Sequence, residues 1–445
     1  NGVHTMTWLA PGYRHLFDKY FPSDWKDRID DPSVWESVDR IPDEELWKTH
    51  KALKARMIRF IRERLKKQYI ANGIPLSEVN DLDSQLVTEA LTIGFARRFA
   101  TYKRANLIFR DLARIERILN GKGTPVQVIF AGKAHPADRP AHELIKSIHD
   151  IARREGFRGR IFLVENYNMS MARYLVQGTD VWLNNPRRPL EASGTSGMKA
   201  AINGVINFSI MDGWWCEGYN GRNGWVIGDD TPYQNETHQD DADSKSLYDT
   251  LEREIIPLYY NCDEHGVPAG WVRMMKESIK SVAPAYGTHR MLKEYTREMY
   301  VPCIERIRRF RESGYSVVHE LVEWKHRVEA SWPHVSITAN QDINGLSDYS
   351  VLSDQEVRLS VTVQLGGLTP DDVSVEIFYG PLSNGRIVQG SSVEMKAARQ
   401  ADSGAWHYEA GLRLSEGGEY GYTFRVIPRN PNLMNKYDLP LIRWV

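Results

Sequence analysis

From about Leu86 to Ile210 short, wholly apolar runs alternate with amphipathic stretches, and beyond about Trp332 the apolar repeat becomes two. The first pattern requires parallel strands covered by helices on both faces. The second requires strands with one buried face. Ala90–Gly94, Val126–Ala131, Ile161–Val164, Val181–Leu183 and Val205–Ile210 read as strands. Asn106–Leu119, Ala141–Arg153, Met169–Val176 and a segment starting at Met198–Asn203 read as helices. The fold class is therefore α/β, a Rossmann-like doubly wound parallel sheet, followed by an antiparallel β-sandwich. In the latter, Val357 to Leu365, Val373 to Tyr379, Trp406 to Leu412 and Tyr420 to Val426 alternate with polar residues. Turns at Gly366-Gly367, Asn384-Gly385 and Gly417-Gly418 separate them.

Residues 1–85 and 245–330 read as helical, including a long stretch from Thr288 to about Ser313. The acidic segment Gln239–Asp243 reads as a solvated loop. A chain of 445 residues exceeds one hydrophobic core, and the change of period divides it into 1–330 and 332–445. Lys+Arg and Asp+Glu number 57 and 58, so no global field selects nucleic acid and any anion site must be a local cluster. No apolar run reaches the roughly 20 residues that span a bilayer. Cys216, Cys262 and Cys303 fit neither a disulfide framework nor a zinc spacing, which suits a reducing, cytoplasmic setting. The first residue is Asn1, not Met, which suggests a chain beginning inside a longer gene product.

In an open parallel sheet, ligands lie at the C-terminal ends of the strands. The loop Glu191-Ala192-Ser193-Gly194-Thr195-Ser196-Gly197-Met198-Lys199 lies there, and small residues let backbone amides approach a phosphate ahead of a helix. Lys199 falls in the first helical turn, where desolvation would make it a competent Schiff-base amine. The bland alternative is a glycine-rich turn with a solvent-facing lysine. A second stretch, Arg97-Arg98-Phe99-Ala100-Thr101-Tyr102-Lys103-Arg104, follows a strand and is expected to open a helix. Its four cations in eight residues suit phosphate groups; a solvated basic helix start is the competing reading.

The spelling Glu191-Ala192-Ser193-Gly194-Thr195, two variable residues, Met198-Lys199 and then Asn203 closely resembles the pyridoxal-phosphate signature of glycogen and starch phosphorylases. Ile202 stands where that family usually has Leu or Met. The basic run resembles the family's as well, with Ala100-Thr101 in place of His-Glu, a departure that points to a shorter bacterial or archaeal branch. Gly132-Lys133-Ala134-His135-Pro136, Glu165-Asn166-Tyr167-Asn168, and Asn1-Gly2-Val3 with Trp8-Leu9 resemble further family segments in the same order. Together these matches cover roughly residues 1–300. The β domain is reminiscent of a C-terminal extension of the shorter enzymes.

The resemblance implies the C-terminal lobe of a glycosyltransferase B-type fold, and reversible phosphorolysis of terminal α-1,4-glucosyl units to glucose 1-phosphate with retention. It implies pyridoxal 5'-phosphate on Lys199. Arg97, Gly194, Thr195, Ser196, Tyr167, Asn168 and Trp8 would lie around that cofactor. Arg98, Tyr102 and Lys103 would hold inorganic phosphate, and Asn1, Glu191, Ser193 and Gly194 would meet the glucosyl unit. Lys199, Arg98, Lys103 and Glu191 would carry the catalysis, with Lys133 an electrostatic neighbour. The N-terminal, glucan-binding lobe would be absent, so this chain would supply half a cleft. A homo-oligomer stays open.

Two rivals remain at this level. A nucleotide-sugar glucan synthase of the same fold commonly carries a second acid eight residues after the first, where this chain has Lys199. A non-catalytic glucan-binding module would rest on Trp406, Tyr408, Tyr420 and Tyr422, whose alternation also fits core packing.

Overall fold

The structure, a computed structural model, describes residues 1–339, 356–383 and 385–445. Asn384 of the expected Asn384-Gly385 turn lies outside the described residues. The chain divides into two compact units, Asn1–Glu294 and Tyr295–Val445. The helices Val301–Glu312 and Ser316–Ser331 thus group with the β-rich part, ahead of the boundary expected near 331. The physical reason is that Leu321, Trp324 and Val328 join the β core, and Trp324 Nε1 donates to Asp372 Oδ1 at 2.8 Å.

In the first unit, β1 (Leu91–Ala96), β2 (Val126–Ala131), β3 (Ile161–Val164), β4 (Val181–Asn184), β5 (Ile206–Ile210) and β6 (Gly224–Ile227) form one parallel sheet in the order β3-β2-β1-β4-β5-β6. β1, β2, β4 and β5 are buried along their whole length. This is why they read as continuous apolar runs rather than alternations. The order reverses between β1 and β4, so a crevice opens at their C-terminal ends.

The helix Asp43–Ala71 buries Leu46, Leu53, Met57, Ile58, Ile61 and Leu65, at helical spacing. It also carries two buried polar groups to the N-terminal end of β4. Lys54 Nζ meets Asp180 Oδ2 at 2.5 Å, the Ala90 carbonyl at 2.6 Å and the Tyr259 hydroxyl at 2.8 Å. His50 Nε2 lies 2.8 Å from Asp180 Oδ1, and the Thr92 amide donates to Asp180 Oδ2 at 2.7 Å. Farther along, the Gln68 carboxamide donates to the Leu163 carbonyl and accepts from the Glu165 amide, both at 3.0 Å, along the free edge of β3.

Three sequence expectations are corrected here. The basic run does not open a helix: it follows β1, makes a single 3₁₀ turn at Thr101–Lys103, and turns sharply at Arg104, whose φ is +47°. The helix expected from Asn106 begins at Leu112, where the Asp111 side chain caps it by accepting from the Arg114 amide. The acidic segment is not a loop. It lies within the helix Glu236–Thr250, capped by Asn235, and Asp240 and Asp243 bind Arg104 at 2.8 Å each.

The second unit contains two antiparallel sheets. One joins β7 (Ser336–Ala339), β8 (Glu356–Gln364), β12 (Lys396–Gln400) and β13 (Trp406–Arg413). The other joins β9 (Val373–Ser383), β10 (Arg386–Ile387), β11 (Ser391–Glu394), β14 (Tyr420–Pro428) and β15 (Arg443–Trp444). Leu359, Val361, Val363, Val375, Ile377, Phe424 and Val426 form a shared core between them, as the two-residue repeat requires. Tyr408 is buried in that core, and Trp406 and Tyr422 pack against it.

Candidate active site

The loops after β1 and β4 meet at the point where the strand order reverses. Arg97 immediately follows β1, and Asn184 ends β4. Arg97 Nη2 donates to Glu191 Oε2 at 2.8 Å, and its Nη1 is held by Asn184 Oδ1. Asn184 is held in turn, donating to Ser209 Oγ of β5 at 3.0 Å. Lys103 Nζ reaches the same Glu191 oxygen at 3.5 Å. The Arg97 and Glu191 side chains are each 8% exposed. Burial lowers the proton affinity of the Arg97 guanidinium, with Glu191 opposing it, while Arg97 Nε is buried without a partner. An anion brought here would therefore find a donor already stripped of water.

The next residues of the loop turn back toward the N-terminal segment. Asn1 Nδ2 donates to Ser193 Oγ at 2.9 Å. Gly194 adopts φ +75°, a left-handed conformation that a side chain would strain. Thr195 precedes the helix Ser196–Ala201, and Ser196 Oγ accepts from Trp182 Nε1 of β4 at 3.1 Å. With six residues this helix is too short for a substantial dipole. What its start offers is amide N–H groups that no earlier carbonyl of the helix can accept.

Lys199 lies in that first turn, half-buried, with Nζ 4.1 Å from the centroid of the Trp8 ring. Burial lowers its proton affinity. Trp8 is fixed from below: Gln177 Nε2 and Asn203 Nδ2 both donate to its carbonyl at 3.0 Å. Asn203 also donates to the Lys199 carbonyl at 2.8 Å and accepts from the Ala10 amide at 2.8 Å. One asparagine thus ties the Trp8 backbone to the lysine's own helix. Tyr167 packs against the same cluster as Trp8, and burial raises its pKa. Asn168 has a local task, capping the helix Met169–Gly178 by accepting from the Met171 amide at 3.0 Å.

The remaining candidates sit around this centre. Arg98 and Lys133 are exposed. Tyr102 is half-buried, its carbonyl accepts from the Arg187 amide at 2.6 Å, and Lys103 Nζ lies 5.3 Å from its ring. Arg104 does not join the site. It is 2% exposed and tied to the Asn185 and Pro186 carbonyls and to Asp240. Asn184, Trp182, Gln177 and Asp212 are additions that sequence reasoning missed. Asn184 could have been found as a polar residue ending an apolar strand. Gln177 carries no local signal, because its importance comes from a contact 169 residues away. Among the described residues no group of acidic, His or Cys side chains could hold a metal ion. A 340 Å³ pocket lined by Tyr69, His149, Arg153 and Arg158 contains none of these site residues.

Known proteins resemble this chain in the same regions. A family model described as carbohydrate phosphorylase matches residues 1–250, and one described as glycogen phosphorylase C-terminal domain matches residues 332–445. Maltodextrin phosphorylase of Thermococcus litoralis is 42% identical over 451 residues, covering 100% of this chain and 51% of the relative. Glycogen phosphorylase of Mycobacterium tuberculosis is 38% identical, covering 99% of the chain and 51% of the relative. Glycogen phosphorylase of Aquifex aeolicus is 48% identical over 304 residues, covering 67% and 43% respectively. The chain spans about half the length of the curated relatives it matches. Among the described residues no helix is long and apolar enough to cross a membrane. With a model covering residues 1–250 and the sheet, loop and lysine arranged as above, the chain belongs to the carbohydrate phosphorylase family.

Proposed function

We propose that this chain is the cofactor-carrying half of an α-glucan phosphorylase, which transfers terminal α-1,4-glucosyl units to inorganic phosphate and releases glucose 1-phosphate. The observation that carries the reading is the Arg97–Glu191–Lys103 cluster at the crevice, followed in the same loop by a half-buried lysine amine over an indole ring. The residues fit pyridoxal 5'-phosphate: Lys199 would hold it, Trp8 and Tyr167 would flank it, and the Thr195 and Ser196 amides with Arg97 would take its phosphate. When bound, the cofactor supplies a second phosphate beside the substrate phosphate. Arg97, Arg98 and Lys103 then offset the repulsion between the two anions, and the burial of Arg97 and Lys103 strengthens that compensation. Arg98, Tyr102 and Lys103 orient the substrate phosphate. Glu191, Ser193, Gly194 and Asn1 bind the glucosyl hydroxyls.

The chain spans about half the length of its relatives, and in this reading a further glucan-binding lobe completes the cleft, so that these 445 residues alone turn over little. The three free cysteines fit the same cytoplasmic setting. The test is borohydride reduction of the complete, cofactor-saturated enzyme, followed by peptide mapping. A reduced adduct on Lys199, with glucose 1-phosphate released from maltodextrin before reduction, supports the reading. An unlabelled Lys199 overturns it, as does robust phosphorolysis by the 445-residue chain alone.

A further inference from the structure

Arg97 and Lys103 hold the Glu191 carboxylate, but that carboxylate can serve a sugar hydroxyl only if the backbone bearing it is also held still. The support comes from the segment that follows β5. Asp212 is 6% exposed and spends both carboxylate oxygens on backbone amides. Its Oδ2 accepts from the Glu191 amide at 2.9 Å and its Oδ1 from the Gly213 amide at 2.9 Å. The Trp214 amide then donates to the Ser193 carbonyl at 2.8 Å.

Gly213 makes this geometry possible. Its φ is +57°, and a Cβ there would stand 2.3 Å from the Ser193 carbonyl oxygen. The indole of Trp214 packs against the other end of the loop, where a Cβ on Gly197 would come within 2.8 Å of its ring. Asp212, Gly213 and Trp214 therefore grip the Glu191–Ser193 turn and the start of the Ser196–Ala201 helix at once.

We propose that Asp212 is a positioning residue of the transfer reaction, fixing Glu191 and Ser193 against the glucosyl unit through the 212–214 turn. This rests on Glu191 being a sugar contact, and Asp212 itself touches neither substrate nor cofactor. A neutral side chain of the same shape fails, because an amide NH₂ placed opposite a backbone N–H repels it. Asp212→Asn loses one of the two bonds, and Asp212→Ala loses both.

The experiment uses the complete, cofactor-loaded enzyme. Asp212→Asn is expected to lower kcat/KM for maltodextrin by on the order of 100-fold, the scale of a misplaced catalytic group, and Asp212→Ala by more. The absorbance titration with pyridoxal phosphate stays as in the parent, which a merely structural role would not predict. Hydrogen exchange on the parent enzyme supplies a readout that needs no variant: the Glu191 amide exchanges slowly. Rapid exchange there overturns the proposal. So does an unchanged kcat/KM in Asp212→Asn when Glu191→Gln lowers it. If Glu191→Gln itself has no effect, the assignment of Glu191 fails instead.

Discussion

Lys199 illustrates how one side chain acquires its chemistry from its neighbours. Its ammonium would sit over an indole 4.1 Å away, and among the described residues no carboxylate acts on it to favour the charged form. Burial therefore lowers its proton affinity. The sign follows: the neutral, reactive amine persists to lower pH than on a free lysine and is lost as pH falls. Capture of pyridoxal phosphate, followed by absorbance across pH, should show a midpoint below the usual lysine value of about 10.4. Trp8→Ala, which opens the amine to water, should move that midpoint upward. Glu191→Gln removes the counter-charge of two cations at once. Arg97 then keeps its buried guanidinium without a carboxylate partner, and inorganic phosphate should bind the variant several-fold more tightly, as equilibrium titration would register.

At the scale of elements, the Lys54–Asp180–His50 contact pins the long Asp43–Ala71 helix to the base of the sheet, at the end opposite the crevice. Burial alone would raise the pKa of Asp180, but Lys54 and His50 outweigh it and leave it lowered. The stability it confers is thus fully present above the ordinary carboxylate range near pH 4 and is lost as pH falls below it. Lys54→Met leaves a buried carboxylate without its cation and should cost roughly 3–5 kcal/mol, measured by urea unfolding at neutral pH.

Neither Lys54 nor His50 could have been singled out in the sequence, where they are polar residues on an ordinary helix. The strands were legible because burial on both faces leaves unbroken apolar runs. Lys199, Glu191 and the basic run were legible because loop chemistry is local. What escaped was long-range pairing. Arg104 looks like one more phosphate-binding cation, yet it is consumed by Asp240 and Asp243. The same contact turns an acidic stretch that reads as solvated loop into a packed helix. Asn235 followed by Glu236, a cap and a first-turn acid, was the available signal for that helix.

At the scale of the molecule, two units with separate cores should unfold as separate events. Leu359 is 2% exposed in the β core, so Leu359→Ala should destabilise that unit by about 2–5 kcal/mol. Calorimetry should show one transition falling while the other, governed by the parallel sheet, stays in place. The parallel sheet has one further consequence at its β3 edge. An open strand edge is a template on which another chain can be added. The Gln68 carboxamide answers the Leu163 carbonyl and the Glu165 amide as the peptide group of a neighbouring strand would. A single side chain thus caps the C-terminal part of that edge without a seventh strand. Replacing it by leucine should leave the lysine site intact and yet make the protein prone to concentration-dependent assembly, seen by light scattering. One glutamine far from the lysine site would then decide whether copies of the chain stay apart or begin to polymerise.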